Sequence, residues 1–397
     1  MTDVAAAIAR PGVEARLRLR RLTVRDFRNL QRVTLEPPAE GMAIIGDNGH
    51  GKTNLLEAIY YLQLLRSMRG ARDQDLVRFG APGFFVAAHA DFPLGELEVA
   101  VGFERATKRK KATLGGSEPP RLSDALGALP SVIFSPADVQ LVSGAPSERR
   151  RFLDVALALT SRRYLAALQG YRGALARRNA ALRDVARTGA ADARAAVWEP
   201  ALAEHGAVLW SERVAWVERA APEFSHLCSA IGERGTARMR YVTALTPSAR
   251  TVPDVAAALR DALAAKRALD VKRGLTHAGP HRDDLELALT GPDGSPRELR
   301  LFGSAGQQRT AAIALRMLEA ATLRERSGAP PLFLLDDPFA ELDAGRAHRI
   351  LELLGVAGLG QTILAVPRPA DITPELTRLE RWGIREGVLN RLQGSGV

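Results

Sequence analysis

Residues 42–62 constrain this chain more than any other stretch. Met42-Ala43-Ile44-Ile45 is a short apolar run of strand type, and Gly46-Asp47-Asn48-Gly49-His50-Gly51-Lys52-Thr53 follows it. That octet fits G-x-x-x-x-G-K-[ST], the phosphate-binding loop. Residues 54–62 then carry Leu55, Ile59 and Leu62 at helical spacing. The order strand, glycine loop, helix lets a backbone wrap a chain of phosphates. Gly46, Gly49 and Gly51 permit positive φ and close approach to an anion. Successive N–H groups form a concave nest, and the helix N-terminus adds its dipole. Lys52 supplies a point charge to the β/γ-phosphates, and the Thr53 hydroxyl is placed to ligate Mg²⁺. All eight residues, Gly46, Asp47, Asn48, Gly49, His50, Gly51, Lys52 and Thr53, are therefore candidates for binding a nucleotide, with ATP and Mg²⁺ as cofactors.

A second stretch completes the first. Leu332-Phe333-Leu334-Leu335-Asp336-Asp337 describes a buried parallel strand presenting carboxylates at its C-terminal end. Asp336 is placed to hold Mg²⁺ through water. Asp337 is placed to orient or deprotonate an attacking water, which makes it, with Lys52, a catalytic candidate. Alone, the acid pair would read as a helix N-cap after a strand; the glycine loop tips it to the metal role.

Ser304-Ala305-Gly306-Gln307-Gln308 puts a serine and a glycine at a helix N-terminus, which makes an anion site. The chain already has one complete phosphate cradle. A second site implies a second nucleotide contact, made in trans across a homodimer.

The 397 residues suggest two or three structural units with an ample core. Formal net charge is +10, and arginine greatly outnumbers lysine, which favours a polyanionic partner such as DNA. Cys228 is the only cysteine, so no intramolecular disulfide and no cysteine-based zinc site can form, as suits a reducing cytoplasm. No run approaches the roughly 20 apolar residues that span a bilayer, and the N-terminus shows no secretory signal. A cytoplasmic location is expected.

Residues 1–15 look like a small-residue extension. Residues 17–24 alternate apolar and charged, a half-exposed strand, and Asp26-Phe27-Arg28-Asn29-Leu30 is a turn before a second strand. Arg66, Arg69 and Arg72 would share a face if their segment is helical. Strand-like segments recur at 84–89, 97–103 and 112–114, with Lys108, Arg109, Lys110 and Lys111 between the last two. That basic hairpin reads equally as a phosphate contact or a solvated loop. These seven cations are the DNA-contact candidates. Residues 146–270 read as an all-helical insertion, with a stripe at Tyr164, Leu168, Tyr171 and Leu175, a helix from 197 stopped by Pro222, and another over 255–269. Strand character returns at 284–289 and 298–302, and again at Thr362-Ile363-Leu364-Ala365-Val366.

The order glycine loop, Ser-x-Gly-Gln-Gln, apolar strand with Asp-Asp, then Glu341-Leu342-Asp343 resembles an ABC-type ATPase head. In that class the signature segment of one subunit caps the γ-phosphate bound by the other. Ser304, Gly306 and Gln307 would act in this way, and Asp343 would match the acid near that interface. More closely, the chain resembles the RecF family, related to the SMC and Rad50 heads. The resemblance rests on Asp26-Phe27-Arg28-Asn29, residues 46–58, Phe134-Ser135-Pro136, residues 147–154, Gly279-Pro280-His281-Arg282-Asp283-Asp284-Leu285 and residues 303–309. It implies an α/β fold: a lobe I of residues 16–145 and 271–397, with a mixed β layer and a parallel P-loop core, and an inserted helical lobe II at 146–270. It also implies recombinational repair at gaps and stalled forks, with RecR and RecO as partners.

Two other classes compete. The ATPase subunit of a membrane transporter normally has a short insertion, whereas here Ser304 lies 251 positions after Thr53. A chromosome-organising head carries a long coiled coil, and an insertion of roughly 120 residues is too short and irregular for one. Val366-Pro367 offers neither the imidazole nor the hydroxyl that could sense a γ-phosphate. Asp337 is one methylene shorter than the glutamate common in ABC heads. Both features point to slow hydrolysis used as a switch.

Overall fold

The structure, a computed structural model, describes residues 16–392 except 190, 249, 292, 340–341 and 357–359. The expected extension at 1–15 lies outside the described residues, as do Ala340 and Glu341. The chain forms two compact units. One comprises Met1–Ile133, Arg324–Asp337 and Gly358–Val397, and the other Phe134–Leu323 and Pro338–Ala357.

The first unit holds two sheets. The strands run in chain order β1 (Arg18–Phe27), β2 (Leu30–Leu35), β3 (Gly41–Ile45), β4 (Gly83–Phe92), β5 (Gly95–Glu104), β6 (Arg109–Leu114) and β7 (Ser131–Phe134). The antiparallel sheet has the order β2-β1-β4-β5-β6. Its strands alternate buried and exposed residues because one face packs inward and the other meets water. The inner face supplies Phe27, Phe84 and Phe103. Phe27 and Phe84 meet the Tyr61 ring edge-to-face, at centroid distances of 5.9 and 5.3 Å. Tyr61 lies on the helix Lys52–Leu64, so this aromatic cluster pins the helix that follows the glycine loop.

The remaining strands are numbered β8 (Ala237–Val242), β9 (Asp284–Thr290), β10 (Pro296–Glu298), β11 (Leu332–Asp336), β12 (Thr362–Val366), β13 (Glu380–Arg385) and β14 (Val388–Arg391). The second sheet has the order β14-β13-β3-β12-β11-β7. At its centre β3, β12 and β11 are parallel and buried on both faces. That explains why each reads as a continuous apolar run. The glycine loop and the Asp336 strand end thus emerge from one edge of one sheet.

The second unit is mainly helical, with long helices Arg162–Thr188, Glu199–Ile231 and Val252–Arg273 and a sheet of order β10-β9-β8. Tyr164, Leu168 and Tyr171 of the expected stripe are buried, and Leu175 is half-buried. Fully buried Arg178 donates to Asp270 at 2.7 Å and to Glu199 at 2.9 Å, fastening the three helices through charge. The segment at 279–285 is a second hub. Tyr171 meets His281 at 2.6 Å, Arg213 donates to the Pro280 carbonyl at 2.8 Å, and Arg149 grips Asp284 with two bonds of 2.8 Å.

Four expectations about elements need correction. Residues 146–270 are not all helical, because Arg238-Met239-Arg240-Tyr241 alternates with period two and pairs with β9. Pro222 does not stop its helix, which runs on to Ile231. An internal proline costs about 3 kcal/mol, and burial of Phe224, Leu227, Cys228 and Ile231 beyond it outweighs that cost. Of residues 298–302 only Glu298 is in a strand, at the end of β10, since Leu299–Phe302 closes one helical turn. Arg66, Arg69 and Arg72 do not share a helix face. Leu65, at φ 53°, takes the left-handed conformation and ends the helix before them.

Candidate nucleotide-binding site

The loop leaves β3 and turns into the helix Lys52–Leu64, whose N-cap Gly51 has φ 112°. A Cβ there would also lie 2.9 Å from the Asn29 side chain, so glycine is required twice over. A Cβ on Gly46 would lie 2.4 Å from the Ile384 carbonyl oxygen. The hairpin β13–β14 therefore braces the loop from outside. His50 Nδ1 accepts from the Glu386 N–H at 3.0 Å, and the Gly387 N–H donates to the His50 carbonyl at 2.9 Å. Sequence reading missed this brace, because the short strands at 380–391 carry little apolar signal.

Lys52 donates to the carbonyls of Gly46 at 2.5 Å and Asp47 at 3.0 Å, which folds its ammonium back over the loop. Burial lowers its pKa, and the charges of Asp336, Asp337 and Asp47 oppose that shift. Thr53 Oγ1 donates to Asp336 Oδ1 at 3.0 Å. Burial raises the Asp336 pKa against the Thr53 hydrogen bond and the charges of Arg69 and Lys52. Among the described residues no group of three or more His, Cys, Asp or Glu side chains could hold a metal ion. A hydroxyl and one carboxylate in contact suit Mg²⁺, which keeps its waters and takes remaining ligands from substrate phosphates. Asp337 follows at φ 47°, a conformation rare outside glycine and enriched at functional sites.

A support for the loop also escaped sequence reading. Glu57, wholly buried, accepts from Arg28 at 3.0 and 3.3 Å and from the Ser67 hydroxyl at 2.6 Å. Asn54 donates to Asn29 at 2.8 Å, and Arg69 donates to Asn54 at 3.3 Å. The end of β1 and the turn Arg28-Asn29 after it are thereby tied to the base of the phosphate loop. Arg69, a DNA-contact candidate, remains exposed while its guanidinium reaches this network.

The other DNA candidates divide. Lys110 is engaged internally by Asp73 at 2.7 Å and the Leu65 carbonyl at 2.6 Å, and Lys111 pairs with Glu118 at 2.6 Å. Arg72, Lys108 and Arg109 are exposed, and Arg66 is half-buried. Beyond Val366-Pro367 stands Arg368, a cation that sequence reading overlooked. It pairs with Asp371 at 3.0 Å; the hydrogen bonds and charge of Asp371 raise its pKa, and Asp337 adds to the effect.

In the second unit, Ser304 and Gln307 form a reciprocal cap. The Ser304 N–H donates to Gln307 Oε1 at 2.9 Å, and the Gln307 N–H donates to Ser304 Oγ at 3.2 Å. Gly306 lies in the first turn, and Arg346 is 3.1 Å from where its Cβ would be. Asp343 caps the next helix through the Arg346 N–H at 2.9 Å.

Residues 18–366 match the family model for the RecF/RecN/SMC N-terminal domain. The chain is 41% identical over 370 residues to a DNA replication and repair protein RecF of Anaeromyxobacter sp. (strain K), covering 91% of this chain and 94% of that one. The chain belongs to the RecF family of DNA replication and repair proteins. A RecF of Chloroflexus aggregans is 35% identical over 396 residues, covering 93% of this chain and 98% of that protein. A solved structure of the recombination mediator RecF with ATP, in the RecFOR pathway, aligns with a TM-score of 0.86 at 28% identity, over 97% of this chain and 100% of that one. An Smc head domain from Pyrococcus furiosus aligns at 0.55 with 19% identity, over 95% of this chain and 96% of that one, a likeness of fold alone. The expected α/β head of ABC type is thus present. No helix among the described residues is long and apolar enough to cross a membrane.

Proposed function

We propose that this RecF-family protein binds ATP at the loop Gly46–Thr53 and uses it to dimerise on DNA, helping to load recombinase at gaps or stalled forks with RecO and RecR. The observation that carries the nucleotide part is the pairing of Thr53 with Asp336 beside the glycine loop, at 3.0 Å. Bound Mg²⁺ would neutralise phosphate charge, with Thr53 and Asp336 as its protein-side holders. Lys52 orients the β/γ-phosphates. Asp337 accepts a proton from, or orients, the attacking water.

The capped helix start at Ser304 is the surface proposed to reach a partner's nucleotide. Leu301 and Phe302, just before it, are 66% and 69% exposed, which suits burial against a second copy. The net charge of +10 supports a polyanionic partner. Neither the transporter nor the long-coiled-coil reading gains an observation of its own. The deciding experiment measures DNA binding at several salt concentrations, with and without ATP, beside sedimentation. ATP-dependent dimers that bind DNA with a steep salt slope are expected. A monomer indifferent to ATP and DNA would overturn the reading.

A further inference from the structure

The end of β12 stands between the glycine loop and Asp337. Register sets Val366 beside Ile45 of β3, and Ala365 beside Asp336 of β11. The ladder continues past the strand ends. The Gly46 N–H donates to the Val366 carbonyl at 3.4 Å, and the Asp337 N–H donates to the Ala365 carbonyl at 2.8 Å. Neighbouring strands lie about 4.8 Å apart, so a γ-phosphate reaching from the loop toward Asp337 passes over the end of β12. Val366 and Pro367 have no polar side chain to meet it. The next residue is Arg368, the one cation of segment 367–372.

The backbone at Arg368 is fixed in advance. Pro367 and Pro369 flank it, and a residue before proline is confined to extended conformations. Arg368 accordingly has φ −135° and ψ 153°. Its backbone N–H and its Nε donate to Asp371 Oδ2 at 3.0 and 3.2 Å, and Nη2 donates to Asp371 Oδ1 at 3.0 Å. Nη1 has no hydrogen-bond partner among the described residues. The Arg368 side chain is 76% exposed, and an ion pair so open to water is weakly held. The other cations at the loop are committed elsewhere. Lys52 is folded onto the Gly46 and Asp47 carbonyls, and Arg28 and Arg69 lie against Glu57. The charge of Asp337 also acts on Arg368.

We propose that Arg368 senses the γ-phosphate, exchanging Asp371 for it when a nucleoside triphosphate binds. The proposal rests on the reading of Gly46–Thr53 as an ATP site, and adds to it the residue that tells triphosphate from diphosphate. A guanidinium presents parallel N–H donors, which fit two phosphate oxygens as they fit the two oxygens of Asp371. A diphosphate ends one group short, so Arg368 keeps its carboxylate partner. Asp371 retains the Arg368 N–H in either state, because that bond belongs to the backbone. The turn Pro369–Asp371 therefore stays in place while the side chain moves.

The test is isothermal titration of the full chain with a non-hydrolysable ATP analogue and, separately, with ADP. Arg368→Gln should weaken analogue binding about 10- to 150-fold, the loss of a hydrogen-bonded charge, and leave ADP binding unchanged. Asp371→Asn keeps an acceptor for the Arg368 N–H and removes the competing charge. It should tighten analogue binding about 2- to 5-fold without affecting ADP. Wild-type analogue affinity in Arg368→Gln, equal losses on analogue and ADP, or an Asp371→Asn protein that binds the analogue no better, would overturn the proposal and leave the nucleotide site standing. A wild-type chain that binds neither nucleotide would instead sink the reading of the loop itself.

Discussion

Thr53 Oγ1 donates to Asp336 Oδ1 at 3.0 Å although the two residues stand 283 positions apart. The contact joins the end of the glycine loop to the end of β11, and it gives the site a pH signature. Burial lifts the Asp336 pKa above its ordinary 3.8. The folded state therefore keeps this proton to higher pH than the unfolded chain does. The stability contributed by the group is complete below pH 3.8 and is lost as pH rises through the folded value. Asp336→Asn should raise the melting temperature of the nucleotide-free protein at pH 7 and change it little near pH 4. A melting shift of the same size at both pH values would contradict this.

Lys52→Ala should weaken ATP binding. Hydrogen bonds to charged groups contribute about 1.5–3 kcal/mol each, so a loss of about 10- to 150-fold is expected. Isothermal titration with ATP measures it, and wild-type affinity would remove Lys52 from the site.

Asp337→Asn should keep ATP affinity while slowing hydrolysis. Losing one contact to the transition state lowers a rate by roughly 10²–10³. Single-turnover hydrolysis beside DNA dissociation reads the effect, and longer residence on DNA should accompany the slower step. A variant that hydrolyses and dissociates like the wild type would exclude Asp337 from the chemistry.

Ser304→Arg should leave ATP binding by the monomer intact and block ATP-dependent dimerisation by bulk and charge. Sedimentation with and without ATP separates the outcomes. Normal dimers would show that the signature segment does not face a partner.

Arg178→Met should destabilise the helical unit by up to about 3–5 kcal/mol, because fully buried Asp270 would keep only the His277 ring and N–H as partners, while Glu199 would keep Arg267. Denaturant unfolding checks the figure. A change below about 1 kcal/mol would mean that water compensates the carboxylates.

Local chemistry made much of this protein legible in its sequence. Glycine content and a lysine at fixed spacing dictated a phosphate nest, since only residues without Cβ reach φ 84° at Gly49 and 112° at Gly51 without strain. Continuous apolar runs identified β3, β11 and β12, because a parallel strand buried on both faces has no polar side to show. What escaped was everything set by partners distant along the chain. The hairpin β13–β14 braces the loop through backbone groups, which no side-chain pattern announces. Pro222 persists inside a helix because packing on both sides outweighs the local penalty. For Arg69 and Lys110 the sequence left phosphate contact and solvated loop open, and folding brings one to Asn54 and the other to Asp73. Charge alone cannot say whether an arginine meets solvent or a carboxylate. Only the tertiary structure decides that, since it sets which opposite charge lies within reach and how little water lies between.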